Sequence, residues 1–336
     1  MPPLKYGFIG LGHIAQHAHL PGIRPLIESG DVRLQAFCDT NEDLVREVAA
    51  KWNHPACYTD HRVMLEQEDL DALYILLPPT LHTDAELIAA EKHIALFVEK
   101  PQTLDMEQAY QFDEVIGKSG IVCQVGFMSR YYPAAEHLGA LLRERRLRHV
   151  NVQLFYSGAP IRFWTSRMEL CGGSFVENTI HSVDLIRSVF GDIVQTSAFY
   201  VPRRPDDPER GPWNLPHAYV VNYQFENECA ANFTTSRCLT EAGVSRREML
   251  IVCDDSLIEW SSHRIVENGR TVWEEDPPSN AFALQAAAFA RAVRSGNPSD
   301  VRSPYHDALN SLQAVLAANA SAARGGELIA VRSLGR

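Results

Sequence analysis

The first third of the chain alternates short apolar runs with helical stretches, and this alternation constrains the fold more than any other feature. The apolar runs are LKYGFIG, VRLQAFCD, DALYILLP, IALFVEK and IVCQVGF, all between Leu4 and Phe127. The stretches between them have helical periodicity, one of them with a good N-cap at Asn41. Parallel strands with helical crossovers are covered on both faces, so their sequences are continuously apolar. The pattern predicts a doubly wound parallel sheet of the α/β class.

A glycine-rich turn follows the first apolar run. Gly10, Gly12 and Ala15 form the pattern G-x-G-x-x-A between a strand and a helix. This pattern is typical of a Rossmann domain, where the turn and the helix N-terminus hold a dinucleotide pyrophosphate. The candidate cofactor contacts in the turn are Gly10, Gly12, His13, Ile14 and Ala15.

Asp39 ends the second apolar run and is the candidate ligand of the adenosine ribose. Its carboxylate would accept hydrogen bonds from the 2′-hydroxyl and repel a 2′-phosphate. Thr40 and Asn41 follow it rather than an arginine. The sequence therefore favours NAD and leaves NADP as the second choice. The alternative interpretation is a solvated aspartate at a strand end.

The second half of the chain is rich in β-branched and aromatic residues, which predicts a largely antiparallel sheet. The predicted strands are Val194–Val201, Ala218–Phe225, Ala230–Thr235, Glu248–Val252, Ser256–Trp260 and Thr271–Trp273. Ala-rich helices are predicted from Ala281 to Ser295 and from Tyr305 to Arg324. We expect a Rossmann domain over residues 1–126 and an α+β domain over residues 127–336. The Pro-rich segment from Pro202 to Pro216 is predicted to be a loop that acts as a lid or a subunit arm.

Composition excludes several classes of protein. The chain has 336 residues, 46% hydrophobic and 22% charged, which is typical of a globular protein of two domains. A net charge of -11 argues against nucleic-acid or anionic-membrane binding. No stretch approaches the roughly 18 apolar residues of a membrane span. The seven cysteines include no CxxC pair and the first residues lack a signal-peptide pattern, so we expect a cytoplasmic protein.

The fourth apolar run ends abruptly in Glu99, Lys100 and Pro101. Ligands of open α/β sheets bind beyond the carboxyl ends of the strands, so Lys100 is a candidate active-site group. A residue before proline is held extended, and the Lys-Pro bond can be cis. A partly desolvated lysine can exchange a proton near neutral pH, and Glu99 could pair with it or hold the cofactor. The alternative is a salt bridge at the surface.

A second candidate group lies in the segment CGGSFVENTIHSVDLIRSVFG. A helix is predicted from Ser174 to Phe190, and Glu177, His181 and Asp184 would share one of its faces. A polar row on a mostly apolar helix is costly unless the groups are paired or used. The alternative is a core histidine bonded to acids. We expect no metal, because no third ligand has suitable spacing.

These motifs together resemble the Gfo/Idh/MocA family, named after glucose–fructose oxidoreductase and inositol dehydrogenase. The segments GFIGLGHIA, AFCDTN, ALYILLPPTLH, EKHIALFVEKP and QVGFMSRYYP match its N-terminal pattern in order and spacing. The resemblance implies that Lys100 lies in the active site and that Pro78, Pro79 and His82 line the cofactor site. Leu77 stands where the family usually has threonine.

The resemblance also assigns roles in the second half of the chain. The family pattern Gly-Gly-x-x-x-Asp-x-Gly-x-His-x-x-Asp places its catalytic acid and imidazole on Glu177 and His181. Glu177 replaces the commoner aspartate, and Thr179 replaces a glycine. The candidate substrate contacts are Arg130, Tyr156, Arg162, Trp164, Arg167 and Asn178. Of these, Arg162 and Arg167 would suit a carboxylate or phosphate.

The sequence thus predicts an NAD(P)-dependent dehydrogenase that acts on a secondary hydroxyl of a sugar, a cyclitol or a related polyol. The same residues could reduce a keto-sugar in the reverse direction. Two alternatives stay open: a redox-neutral enzyme that uses NAD, such as a glycosidase, and a cofactor-binding sensor without activity. The resemblance implies a homodimer or homotetramer formed through the open face of the second sheet.

Overall fold

The computed structural model describes residues 1–157, 162–204, 213–239 and 242–333. The chain divides into two compact units. The first consists of Met1–Tyr131 and Asn280–Ala308, and the second of Tyr132–Ser279 and Leu309–Arg336. The core of the predicted loop from Pro202 to Pro216, residues 205–212, lies outside the described residues. Within the described residues, no helix combines the length and the hydrophobicity needed to cross a membrane.

Fifteen strands and ten α-helices are assigned within the described residues. The strands are Leu4–Ile9 (β1), Val32–Cys38 (β2), Ala56–Tyr58 (β3), Ala72–Ile75 (β4), Ala95–Val98 (β5), Cys123–Val125 (β6), Leu147–Phe155 (β7), Ile193–Val201 (β8), Ala218–Phe225 (β9), Ala230–Ser236 (β10), Arg246–Cys253 (β11), Ser256–Ser261 (β12), Arg264–Glu267 (β13), Arg270–Glu274 (β14) and Ile329–Ala330 (β15). The α-helices are Leu20–Glu28 (α1), Glu42–Ala50 (α2), His61–Gln67 (α3), Ala85–Glu91 (α4), Met106–Ser119 (α5), Pro133–Leu142 (α6), Met168–Cys171 (α7), Ile180–Phe190 (α8), Ala281–Ser295 (α9) and Tyr305–Ala323 (α10). Two π-helical turns, Ala15–His19 and Phe175–Thr179, immediately precede α1 and α8.

The first unit contains a six-stranded sheet in the order β3-β2-β1-β4-β5-β6. Every pair of neighbours in it is parallel. This is the strand order of a Rossmann domain, in which the order reverses between β1 and β4. The predicted doubly wound parallel sheet is confirmed. The short strand β3 and helix α3 were not predicted, because few of their side chains are buried and their apolar pattern is weak.

Aromatic rings form the core of the first unit. Tyr74 of β4 stacks between Phe8 and Phe97, with ring centroids 4.8 and 4.5 Å away. Phe289 of α9 completes this core edge-on to Tyr74 and Phe97. Burying a ring of this size contributes about 2–3 kcal/mol. Helix α9 therefore belongs to the first unit, although a division of the sequence at residue 126 assigns it to the second.

The second unit contains a nine-stranded sheet in the order β14-β13-β12-β11-β7-β10-β9-β8-β15. Its neighbours are antiparallel except for β7 and β10, which are parallel. One face is buried, as the alternation of Val150, Val152 and Leu154 along β7 indicates. The prediction of a large, mostly antiparallel sheet in an α+β unit is confirmed.

Candidate active site

The glycine turn of the first unit has the geometry that a dinucleotide requires. Gly10 has a φ of 87°, and a Cβ there would lie 2.7 Å from the carbonyl oxygen of Leu76, so only glycine fits. A Cβ on Gly12 would meet no atom within 4 Å among the described residues. Ala15 is fully buried where the π-helical turn begins. The turn therefore leaves room for a pyrophosphate beside the first amides of a helical segment.

Asp39 fixes the end of β2 against this turn. Its Oδ2 accepts a hydrogen bond of 2.9 Å from the backbone N–H of Leu11, and its Oδ1 accepts one of 3.0 Å from Asn41. The side chain is half-buried. A carboxylate held in this way beside the glycine turn suits a ribose hydroxyl and disfavours a phosphate at the same place.

Lys100 is held in place through its backbone. Glu99 is only 5% exposed, and its Oε1 lies 2.6 Å from Nε2 of the buried His19. The other oxygen, Oε2, accepts a 2.9 Å hydrogen bond from the backbone N–H of Lys100. The peptide bond between Lys100 and Pro101 is cis, and the lysine side chain is half-buried.

The carboxylate of Glu99 is held inside the first unit. Its carboxylate packs against Gly126, where a Cβ would lie 2.7 Å from Oε1, and it bonds His19 rather than pointing out of the unit. Glu99 therefore positions the backbone of Lys100. His19 was not among the residues singled out from the sequence. The available signal was its spacing of four residues from Ala15 and Ile23, which places an imidazole on a buried helical face.

The loop after β4 supplies apolar contacts beside the glycine turn. A Cβ on Gly10 would lie 3.0 Å from Cδ2 of Leu77, so Leu77 borders the turn. Pro78 is half-buried and Pro79 is buried. The side chain of His82 is buried, and its Nδ1 lies 2.5 Å from Oε1 of Glu86. His82 thus binds the next helix, α4, which commits one of its ring nitrogens to the protein interior.

In the second unit, two glycines introduce the turn that carries the predicted acid. Gly172 and Gly173 have φ values of 71° and 92°, and a Cβ on Gly173 would lie 3.0 Å from Sδ of Met168. Tyr219 accepts a 3.1 Å hydrogen bond at its hydroxyl from the backbone N–H of Ser174. The π-helical turn Phe175–Thr179 follows, and such turns occur frequently at functional sites.

Glu177 lies in this π-helical turn, and His181 lies in the first turn of α8. Both side chains are half-buried, so they lie near the surface of the second unit. Asp184, in contrast, is fully buried and accepts a 2.7 Å hydrogen bond from Oγ of Ser311. The three side chains predicted to share one helical face therefore differ in burial, and Asp184 is the most buried of them. The π-helical turn changes the helical phase between Glu177 and α8, which the sequence pattern does not reveal.

Tyr156 and Asn178, both predicted substrate contacts, are brought together. The Tyr156 hydroxyl donates a 2.8 Å hydrogen bond to Oδ1 of Asn178, which follows Glu177 in the π-helical turn. Burial raises the pKa of the Tyr156 phenol, whereas the positive charges of Arg247 and Arg237 lower it. These two arginines were not among the residues singled out from the sequence. The sequence indicates them only weakly: Arg237 lies just after the predicted strand Ala230–Thr235, and Arg247 lies just before the predicted strand Glu248–Val252.

Two of the remaining arginine candidates form ion pairs within the protein. Arg130, in the first unit, is buried and forms an ion pair of 2.7 Å with Asp307. The Nε of Arg167 lies 3.4 Å from the Glu169 carboxylate, so its charge is already balanced. Arg162 and Trp164 are half-buried near the short 3₁₀ turn Trp164–Ser166.

Across the described residues, no cluster of three or more His, Cys, Asp and Glu side chains could hold a metal ion.

The first unit has a glycine turn that suits a dinucleotide, at the end of a strand in a parallel sheet. The second unit carries Glu177 and His181 near its surface. These features are typical of a nicotinamide-dependent oxidoreductase. Comparison with known families agrees. Residues 4–127 match the oxidoreductase family with an NAD-binding Rossmann fold, and residues 146–259 match the GFO/IDH/MocA C-terminal domain. The chain belongs to the Gfo/Idh/MocA family of oxidoreductases, and its residues 4–127 form the NAD-binding Rossmann fold of that family.

Individual relatives are distant in sequence and close in fold. A scyllo-inositol 2-dehydrogenase (NAD⁺) from Bacillus subtilis is 26% identical over 279 residues, which cover 76% of this chain and 75% of that protein. A myo-inositol 2-dehydrogenase from Thermotoga maritima is 24% identical over 192 residues, 57% of this chain and 56% of that one. The crystal structure of an oxidoreductase from Thermotoga maritima superposes with a TM-score of 0.87 at 23% identity and covers 99% of both chains.

Proposed function

We propose that the protein is an NAD-dependent dehydrogenase that oxidises a secondary hydroxyl of a sugar, a cyclitol or a related polyol, or reduces the corresponding ketone. The relatives named inositol dehydrogenases support this substrate class. The observation that carries the proposal is Lys100, fixed by the Glu99–His19 pair at the carboxyl end of β5 in a sheet with a dinucleotide turn. An ammonium at that edge of a Rossmann sheet suits a reacting hydroxyl.

The residues of the first unit fit NAD. Gly12 leaves the space, and the amides of His13 and Ile14 lie in the first helical turn, where they would face the pyrophosphate. Asp39 would accept hydrogen bonds from the ribose, which supports NAD over NADP. When bound, the nicotinamide supplies a hydride acceptor or donor.

Each catalytic residue has a proposed role in alcohol oxidation. His181 accepts the proton of the substrate hydroxyl as general base. Lys100 carries the positive charge that stabilises the developing alkoxide, an effect of about 3 kcal/mol. Glu177 orients the imidazole or binds a neighbouring hydroxyl, and Asn178, fixed by Tyr156, donates its amide N–H groups to the substrate.

A substrate screen tests this proposal. Purified protein is assayed with sugars, inositols and uronic acids in the presence of NAD or NADP, and the absorbance of the reduced nicotinamide is followed. We expect NAD-dependent oxidation of at least one of these compounds. Turnover of a glycoside without net reduction of a tightly bound cofactor would instead support the redox-neutral alternative. Absence of hydride transfer to or from every polyol and ketone tested would contradict the proposal.

We also propose that the protein forms a homodimer or homotetramer through the face of the nine-stranded sheet opposite its buried face. That face carries a row of hydrogen-bonded asparagines, Asn151, Asn232 and Asn222, together with the half-buried Val220. Sedimentation of the Val220→Lys variant should reveal smaller species, whereas Val63→Lys, an exposed site in the first unit, should not change the mass. Unchanged sedimentation of Val220→Lys would place the interface elsewhere.

A cytoplasmic location is proposed from the cysteines. All seven are free in the structure, and five of them are buried. This is typical of a reducing compartment. Mass spectrometry of protein isolated with rapid alkylation should find seven thiols, and a disulfide in such a sample would contradict the proposal.

A further inference from the structure

Two arginines of the second unit surround one tyrosine. The guanidinium carbon of Arg237 lies 4.8 Å from the centroid of the Tyr156 ring, and that of Arg247 lies 5.2 Å from it. Cation–π contacts of this kind contribute about 0.5–2 kcal/mol each. Two like charges near one ring also repel each other, and an anion bound between them would lower this repulsion.

The sheet register brings these side chains to the same face. Tyr156 directly follows β7, and its backbone N–H donates to the Ser236 carbonyl at the end of β10. Arg247 of β11 pairs with Leu154 of β7, whose side chain is buried. Strands β10 and β11 lie on either side of β7, so the two arginines reach Tyr156 from opposite neighbours. The group therefore lies at one end of the buried face of the sheet.

Neither guanidinium has an acidic partner within the described part of the chain. The Nε of Arg237 is buried and has no hydrogen-bond acceptor there. The adjacent Arg246 provides a contrast, because it is exposed and forms a 2.8 Å ion pair with Glu248. A buried arginine N–H without an acceptor is costly, and an oxyanion bound from outside would satisfy it.

The arginine pair also lies near the proposed catalytic turn. Tyr156 donates its hydroxyl proton to Asn178, which directly follows Glu177. The charges of Arg237 and Arg247 and that of Glu177 all act on the Tyr156 phenol. An anion held by the arginines would therefore be part of a ligand that also contacts the turn. The Glu177 carboxylate would repel a dianionic phosphate more strongly than a carboxylate, which favours the latter.

We infer that Arg237 and Arg247 bind a carboxylate of the substrate, so that the enzyme acts on a sugar acid or a carboxylated polyol. The inference rests on the proposed dehydrogenase function and specifies its substrate class. Each guanidinium can donate two parallel hydrogen bonds to a carboxylate. Tyr156 holds both arginines by its ring and holds Asn178 by its hydroxyl, which makes it a positioning residue.

The test compares matched neutral and acidic substrates. Initial rates with NAD are measured for glucose against glucuronate and for galactose against galacturonate. We expect kcat/KM to be at least about 100-fold higher for one acid than for its neutral partner, mainly through KM. Arg237→Met and Arg247→Met should each lower kcat/KM for that acid about 30-fold or more and change the neutral sugar by less than about threefold. The matched control Arg246→Met should change neither.

Equal losses on acidic and neutral substrates, or no loss at all, would overturn the inference and leave the dehydrogenase intact. A sugar phosphate preferred over both acids would also overturn it. If no compound is oxidised, the proposed function fails. The arginine site is then tested separately by calorimetric titration of the NAD-loaded protein with galacturonate, where binding lost in Arg247→Met supports it and absent binding refutes it. If Arg237→Met does not fold, Arg237→Lys and the exposed Arg247→Met carry the same comparison.

Discussion

The two units of the chain differ in whether the charged side chains around their candidate sites are paired within the protein. In the first unit, Glu99 is paired with His19, His82 with Glu86, and the Asp39 carboxylate accepts two backbone N–H groups. In the second unit, the two arginines around Tyr156 have no acidic partner within the described residues. In the first unit these charged groups are hydrogen-bonded within the protein, so the residues proposed to bind the cofactor are held in place before any ligand binds. In the second unit the guanidinium groups of Arg237 and Arg247 are available to a ligand. We therefore expect these two residues to determine substrate specificity.

Among variants of the first unit, we expect the largest loss of activity from a substitution of Lys100. Because the ammonium stabilises charge that develops only in the transition state, Lys100→Met should lower kcat by about 1,000-fold or more and change the Kd of NAD by less than about threefold. Stopped-flow turnover and fluorescence titration measure the two quantities. Lys118→Met, which removes an exposed lysine paired with Glu114, is the control and should behave like the wild type. Wild-type turnover in Lys100→Met would show that its role is misassigned.

The two glycines of the turn should separate ligand binding from folding. Gly12→Ala fills space that the protein does not use, so it should leave the free energy of unfolding within about 0.5 kcal/mol of wild type and weaken NAD binding by about 30-fold. Gly10→Ala places a Cβ against the Leu76 carbonyl in left-handed backbone and should destabilise the protein by about 2 kcal/mol or more. Denaturant titration and calorimetry test both. Undiminished NAD affinity in Gly12→Ala would place the cofactor elsewhere.

The buried pair beneath Lys100 should affect stability as well as rate. His19→Phe leaves Glu99 buried with only a backbone donor, so it should lower the free energy of unfolding by about 2–3 kcal/mol and reduce kcat. The control is His17→Phe, at an exposed position two residues away, which should cost less than about 0.5 kcal/mol. A stable His19→Phe variant with full activity would mean that Glu99 does not depend on this imidazole.

Cofactor selectivity should show the smallest of these effects. Asp39→Ala removes the carboxylate that would bind the ribose, so we expect kcat/KM for NAD to fall about tenfold while that for NADP falls less or rises. Asp43→Ala, an exposed aspartate in α2, should leave the NAD-to-NADP ratio unchanged. A ratio that stays constant in Asp39→Ala would remove the basis for proposing NAD.

The parts of this molecule that follow from local pattern were predictable from the sequence. The parallel sheet was visible in its apolar runs, and helix α9 was predicted from Ala281 to Ser295 with the bounds that the structure has. Its place in the first unit was not predictable, because it depends on Phe289 packing against Tyr74 far away in the sequence. Local periodicity carries no signal for such a contact.

The environment of the site residues was harder to predict for the same reason. The sequence indicates Glu177 and His181 but not the π-helical turn that contains Glu177, nor the contact of the buried Asp184 with Ser311. It also indicates Tyr156 but not the arginines beside it, because these come from strands on either side of β7 and meet only through the sheet register. The contact between Glu99 and His19 was not predictable either, because the two residues are remote in sequence.

We propose that Lys100 and His181 act as one catalytic unit, and a double-mutant cycle measures the coupling between them. The values of kcat are compared for wild type, Lys100→Met, His181→Asn and the double variant on the best substrate from the screen. Residues that act as one catalytic unit are strongly non-additive, so the double variant should be no more than about tenfold slower than the slower single variant. If the double variant instead loses the full product of the two single effects, the two residues act independently and the account of this active site is wrong.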